Sequence, residues 1–246
     1  MRYKLIIFDI DGTITRHISS WRYIHEKLGL WRRQAFSYQE QFFAGSISYR
    51  KFCELDAAHW KGMPERKIRR IFDSVLYSKN ARPCIKKLKS SGFRLVAIST
   101  GLQFMPDRIM KELKFDYAIS NRLISRNGKL TGGVKINLAH GAKDKILRKI
   151  FRRFNVKGHE VICVGDSEGD IPLAKKCGYS IAFNSSSEAL SKISDYNCIS
   201  KDFSEVYRKI IEVSAMDPSL RAPKGRSNLK NKIASSVNTL TPTSSQ

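Results

Sequence analysis

The chain has 246 residues, 41% of them hydrophobic and 10% aromatic, which suits one sizeable core with a smaller accessory domain and excludes a disordered polypeptide. No run approaches the roughly 18 uninterrupted apolar residues that a membrane span requires. The formal net charge of +23 suits phosphorylated or other anionic ligands, nucleic acid among them, and equally an ordinary basic protein.

Residues 3–10, YKLIIFDI, form a continuous apolar run. It reads as a central strand covered on both faces. It does not read as a signal peptide, because it ends in acids with no small-residue cleavage site. From residue 15 the periodicity turns helical, with Trp21, Tyr23, Ile24 and Leu28, then Phe42, Phe43, Phe52 and Leu55, then Ile68, Ile71 and Phe72. Gly29, Gly45 and Gly62-Met63-Pro64 break these pieces apart. Residues 15–78 are therefore expected to form a small helical cap inserted after the first strand.

From residue 81 strand and helix alternate. The pattern predicts a helix over 84–91, a strand over 94–99, a helix over 104–113 and a short strand over 116–119. A hairpin follows about Asn127-Gly128, then a helix over 143–154, a strand over 160–165, a helix over 171–176, a strand over 180–183 and a last helix over 203–213. Such alternation predicts an α/β fold with a parallel sheet covered on both faces, built from residues 1–14 and 79–214. Past Asp217 no acid occurs, and Arg221, Lys224, Arg226, Lys230 and Lys232 precede the closing TLTPTSSQ. Residues 215–246 are expected to be a disordered, basic, Ser/Thr/Pro-rich tail. It reads as a solvated extension or as an arm for weak nucleic-acid contact, together with the basic surface. The five cysteines are scattered and never paired as CxxC, so they read as reduced packing residues of a cytoplasmic protein.

Parallel sheets place ligands at the carboxyl ends of their strands. Those ends supply Asp9-Ile10-Asp11-Gly12-Thr13, Ser99-Thr100-Gly101 and Gly165-Asp166, with Asp170 close behind and Lys143 opening a helix. Crowded carboxylates need a cation among them. Hard oxygen ligands without a histidine cluster suit Mg²⁺, with Asp9 and Asp166 as ligands beside the backbone carbonyl of Asp11. A carboxylate can attack phosphorus to give an aspartyl-phosphate, and Asp9 is placed for that role. Asp11 would protonate the leaving oxygen and then activate water. Ser99, Thr100, Gly101 and Lys143 would hold the phosphoryl oxygens, and Asp170 would orient Lys143 or the metal's waters.

DIDGT, LVAIST, Lys143 and GDSEGD, in that order, resemble the four motifs of the haloacid dehalogenase superfamily. The hairpin NRLISRNGKLTGGV and the helical segment are similar to those of its phosphoserine phosphatase-like branch. The resemblance covers residues 3–213. It implies a Rossmann-like, three-layer core, a mobile cap, Mg²⁺, and hydrolysis of a small phosphorylated metabolite. Three positions depart from that branch: Ile18 falls where a substrate-binding Glu is expected, Glu54 near where an Arg is expected, and Gly169 where Asn is usual. Two other readings use the same residues. One is a phosphatase or binding protein acting on nucleotides or nucleic-acid ends; the other is a phosphotransferase of the same superfamily.

Overall fold

The computed structural model describes residues 2–17 and 19–216. Ile18 and residues 217–246 lie outside the described residues, and so do the expectations placed on them. The first strand, β1 (Leu5–Phe8), is wholly buried, and its side chains alternate between two apolar clusters. Leu5 and Ile7 join Val96, Ile98, Val161 and Cys163, whereas Ile6 and Phe8 join Leu95, Ala97, Ile162 and Val164. A strand that faces apolar layers on both sides needs an unbroken apolar run, which is why the period-two signal is absent.

The remaining strands are β2 (Arg94–Leu102), β3 (Tyr117–Arg126), β4 (Lys129–Lys135), β5 (Val161–Gly165), β6 (Tyr179–Phe183) and β7 (Tyr196–Cys198). They form one sheet in the order β4-β3-β2-β1-β5-β6-β7. Every neighbouring pair is parallel except β3 with β4. The expected short strand at 116–119 and the first hairpin arm are in fact one ten-residue strand, β3. It pairs with β2 early and β4 late. Asn127 and Gly128 turn the hairpin with φ of 49° and 72°, the left-handed pair that a tight hairpin requires.

Four helices separate β1 from the rest of the sheet: α1 (Ser20–Lys27), α2 (Phe36–Phe43), α3 (Tyr49–Ala58) and α4 (Glu65–Asp73). A π-helical turn, Trp31–Ala35, leads into α2. Their apolar residues Trp21, Ile24, Phe52, Trp60, Ile68 and Phe72 belong to the same buried cluster as Ile6 and Phe8. The later helices are α5 (Ala81–Ser90), α6 (Phe104–Leu113), α7 (Leu147–Phe154), α8 (Ile171–Ala174), α9 (Glu188–Ile193) and α10 (Phe203–Ala215). Residues of α5, α6 and α10 pack in one cluster, and those of α7, α8 and α9 in the other. The sheet therefore lies between two helical layers, the three-layer α/β architecture expected of a Rossmann-like core.

Several boundaries shift. The α5 helix begins three residues before the expected 84, because Pro83 fits a first helical turn, where no N–H is needed. Lys143 opens a 3₁₀ turn (Lys143–Ile146), and only then does α7 follow. Both α9 and β7 escaped the sequence reading, being six and three residues long. Among the described residues, no helix is long and apolar enough to cross a membrane.

Candidate active site

Strands β2, β1 and β5 are neighbours at the centre of the sheet, so their carboxyl ends present Ser99, Asp9 and Asp166 side by side. The Asp9 N–H donates to Val164 O at 2.9 Å, carrying the β1–β5 pairing one residue past the strand. Lys143 reaches the same edge from the segment after β4. Asn121 fixes that segment: its Oδ1 accepts the N–H groups of Asn137 and Leu138, and its Nδ2 donates to Leu138 O. The Lys143 ammonium, 2% exposed, donates to Asp9 Oδ1 at 2.5 Å and to Asp170 Oδ1 at 2.6 Å. The other Asp170 oxygen accepts the N–H groups of Asp166 and Ser167. Asp170 thus holds both the ammonium and the turn that carries Asp166.

Asp9, Asp166 and Asp170 each offer a carboxylate oxygen within 4.8 Å of the others. Burial pushes the Asp9 carboxyl well above the ordinary range; Lys143 opposes this, while Asp170 and Asp166 reinforce it. Burial and Asp170 raise Asp166 to about 7, against the pull of Lys143, the Thr13 hydroxyl and the Asp9 carboxyl. Burial also disfavours the charged form of Lys143, yet Asp170 and Asp9 outweigh it and hold the ammonium above its usual value. Three buried carboxylates against one ammonium leave the pocket short of positive charge. All the donors are hard oxygens. A small divalent cation of the Mg²⁺ type fits such a set, and Asp9 and Asp166, whose carboxylate oxygens lie within 4.8 Å of each other, are placed to hold it.

The turn after Asp9 is shaped by Gly12, with φ of +84°; a Cβ there would fall 2.3 Å from Asp166 Oδ2. Only glycine lets the chain turn this close to the acid cluster. Thr13 Oγ1 then donates to Asp166 Oδ1 at 3.0 Å. The same turn brings Asp11 over the end of β2. Its Oδ2 accepts the Ser20 N–H at 2.9 Å, and its Oδ1 lies 3.8 Å from His17 Nε2. A methyl group on Gly101 would meet Ser20 Oγ at 2.2 Å, Asp11 Oδ2 at 2.6 Å and Ser99 Oγ at 3.0 Å. Asp11 and Ser99 therefore converge on the Gly101 backbone, whose N–H donates to Ser99 Oγ at 2.8 Å. The strand expected to stop at Ser99 continues to Leu102 with an irregular register against β3; Ser99, Thr100 and Gly101 occupy that irregular stretch.

Asp9, Asp11, Ser99, Thr100, Gly101, Lys143, Asp166 and Asp170 thus gather at one sheet edge. Glu54 does not: it is exposed and lies 3.8 Å from Arg50 on the outside of α3, because the buried face of that helix is Phe52, Cys53, Asp56 and Ala57. Asp56 instead faces His25 at 3.1 Å, both side chains being fully enclosed. Four polar residues at the edge had no role assigned from the sequence: Thr13, Ser20, Tyr49 and Asn121. Thr13 stands inside the DIDGT motif, so its position was a usable signal. The other three bond mainly to backbone groups distant in the chain, and no local pattern announces them.

The sequence profile of haloacid dehalogenase-like hydrolases matches residues 6–175, and the chain belongs to that family. It is 28% identical over 200 residues to the phosphoserine phosphatase of Archaeoglobus fulgidus, covering 81% of this chain and 57% of that protein. It is 30% identical over 181 residues to the phosphoserine phosphatase of Methanocaldococcus jannaschii, covering 73% of this chain and 85% of that one. A solved phospho-aspartyl intermediate analogue of phosphoserine phosphatase superposes with a TM-score of 0.73 at 28% identity, covering 85% of this chain and 99% of that chain. The nucleic-acid reading finds no support among these relatives, which are phosphoserine phosphatases by name.

Proposed function

We propose that the protein is an Mg²⁺-dependent phosphatase that hydrolyses a small phosphate monoester through an aspartyl-phosphate on Asp9. Asp9 attacks phosphorus, and the bond to the ester oxygen breaks. Asp11 gives its proton to that oxygen and the alcohol departs. Asp11, now ionised, takes a proton from water as the water attacks the aspartyl-phosphate, releasing inorganic phosphate and restoring Asp9. Lys143, Ser99 and the Thr100-Gly101 backbone hold the phosphoryl oxygens while charge shifts onto them. Held by Asp9, Asp166 and the Asp11 carbonyl, Mg²⁺ would supply the positive charge that three carboxylates and a phosphoryl group require.

Under this reading residues 15–78 act as a cap over a core of residues 1–14 and 79–214. The observation that carries it is the convergence of Asp9, Asp166, Asp170 and Lys143 at the ends of adjacent central strands. Likeness to phosphoserine phosphatases supports the reaction class. The exposed position of Glu54 leaves recognition of the leaving group to other residues of the cap, so the substrate class is a small phosphate monoester.

The test is phosphate release from a panel of phosphorylated metabolites, phosphoserine included, with Mg²⁺ and with chelator, beside Asp9→Asn. Mg²⁺-dependent release that vanishes in the variant supports the proposal. Release that survives in Asp9→Asn would falsify it.

A further inference from the structure

One backbone carbonyl at the site receives three side-chain donors from three different elements. Thr100 O accepts from Trp21 Nε1 at 3.2 Å, Tyr49 Oη at 2.7 Å and Asn121 Nδ2 at 2.9 Å. Trp21 belongs to α1, Tyr49 opens α3 and Asn121 lies in β3. Tyr49 Oη lies 3.0 Å from Asn121 Nδ2; with two hydrogens for Leu138 O, Thr100 O and this hydroxyl, Nδ2 shares one between acceptors, which ties the donors to one another. A carbonyl oxygen has two lone pairs, and three donors saturate it.

The Thr100 carbonyl and the Gly101 N–H are opposite ends of one planar, trans peptide group. Fixing the oxygen fixes the direction of the N–H, which here points at Ser99 Oγ. The start of α1 strengthens the junction. Ser20 Oγ accepts the Leu102 N–H at 3.1 Å, and the Ser20 N–H donates to Asp11 Oδ2 at 2.9 Å. Two of the three donors on Thr100 come from helices inserted between β1 and the rest of the sheet. Without them the peptide keeps only Asn121 on its oxygen and Ser99 on its N–H, and its plane is held less firmly.

We propose that Trp21 and Tyr49 are positioning residues: donors from the helical segment that lock the Thr100–Gly101 peptide so that its N–H holds Ser99 Oγ in place for the phosphoryl group. The inference rests on the phosphatase reading and extends it, since it makes the shape of the phosphoryl cradle depend on the seating of α1 and α3. Acting through a backbone group, both residues influence the phosphoryl group and leave discrimination between leaving groups untouched.

Tyr49→Phe and Trp21→Phe each remove one donor and keep an aromatic ring among Phe42, Phe52 and Trp60, which surround these side chains. The measurements are kcat and KM for phosphoserine and for p-nitrophenyl phosphate, plus calorimetric affinity for inorganic phosphate, with thermal melting as the check on folding. Loss of one hydrogen bond should lower kcat/KM about five- to tenfold. The factor should be the same for both esters, phosphate affinity should fall in step, and the double variant should lose more than either. Folded variants with unchanged kcat/KM and phosphate affinity overturn the proposal. So does a loss confined to one ester, which would make these residues leaving-group contacts. If the wild type hydrolyses neither these esters nor any of the phosphorylated metabolites in the panel, the phosphatase reading fails separately; calorimetry then decides the clamp, and absence of phosphate binding counts against it.

Discussion

The Lys143 ammonium stands 2.5 Å from Asp9 Oδ1 although 134 positions separate them in the chain. It is shared with Asp170, and among the described residues no second ammonium balances Asp166, whose carboxyl is raised to about 7 chiefly by burial and by Asp170. A divalent cation binding the folded site should therefore stabilise the protein. At a hundredfold excess over its dissociation constant a ligand adds about 2.7 kcal/mol, which for a chain of this size raises the Tm by roughly 5–10 °C. Differential scanning calorimetry with increasing Mg²⁺ should show that rise, and Asp166→Asn should diminish it. A melting curve indifferent to Mg²⁺ in the wild type would contradict the assignment.

Gly101 is the point where Ser20, Asp11 and Ser99 meet. Gly101→Ala would force a methyl group to within 3.0 Å or less of all three side-chain oxygens. Overpacking of this kind costs about 1–3 kcal/mol. The expected outcome is a modest loss of stability in urea unfolding with a far larger loss of turnover, well over tenfold. Activity within twofold of wild type would show that the cradle tolerates a displaced Gly101 peptide.

Asp116, just before β3, accepts from Lys89 Nζ at 2.6 Å, Arg94 Nη1 at 3.1 Å and the Leu95 N–H at 2.8 Å. Burial alone would raise its carboxyl, but Lys89, the Leu95 N–H and Arg94 outweigh it and hold the group below the usual carboxylate value. A depressed folded-state pKa means that the ionised form favours folding. That contribution is complete above the unfolded value of about 3.9 and disappears as pH falls through the lower, folded value. Asp116→Asn should cost about 1–2 kcal/mol near neutral pH, after allowance for the exposure of Arg94. The wild-type and variant stabilities should converge below about pH 4. A gap that persists into acid would mean that the asparagine loses packing and not charge.

Much of the site was legible because strand ends and chemistry coincide. The apolar runs before Asp9, Ser99 and Asp166 are the buried strands β1, β2 and β5. Strands buried on both faces leave that signal whatever their partners. Lys143 was legible only through its order among the motifs, since nothing local distinguishes a lysine at the start of a turn. The clamp on Thr100 was not legible, because Trp21, Tyr49 and Asn121 bond to a backbone oxygen 79, 51 and 21 positions away. Backbone partners leave no residue signature. The His25–Asp56 pair was hidden for a different reason: each residue occupies a buried helix position, where periodicity leads one to expect an apolar side chain.

Whether Asp9 carries the phosphoryl group is open to chemical trapping. Borohydride added during turnover of a phosphate monoester with Mg²⁺ should reduce the acyl phosphate, leaving homoserine at position 9 in the peptide mass spectrum. The modification should be absent without substrate and absent in Asp9→Asn. Homoserine at another aspartate, or steady turnover with no trapped residue, would contradict the account.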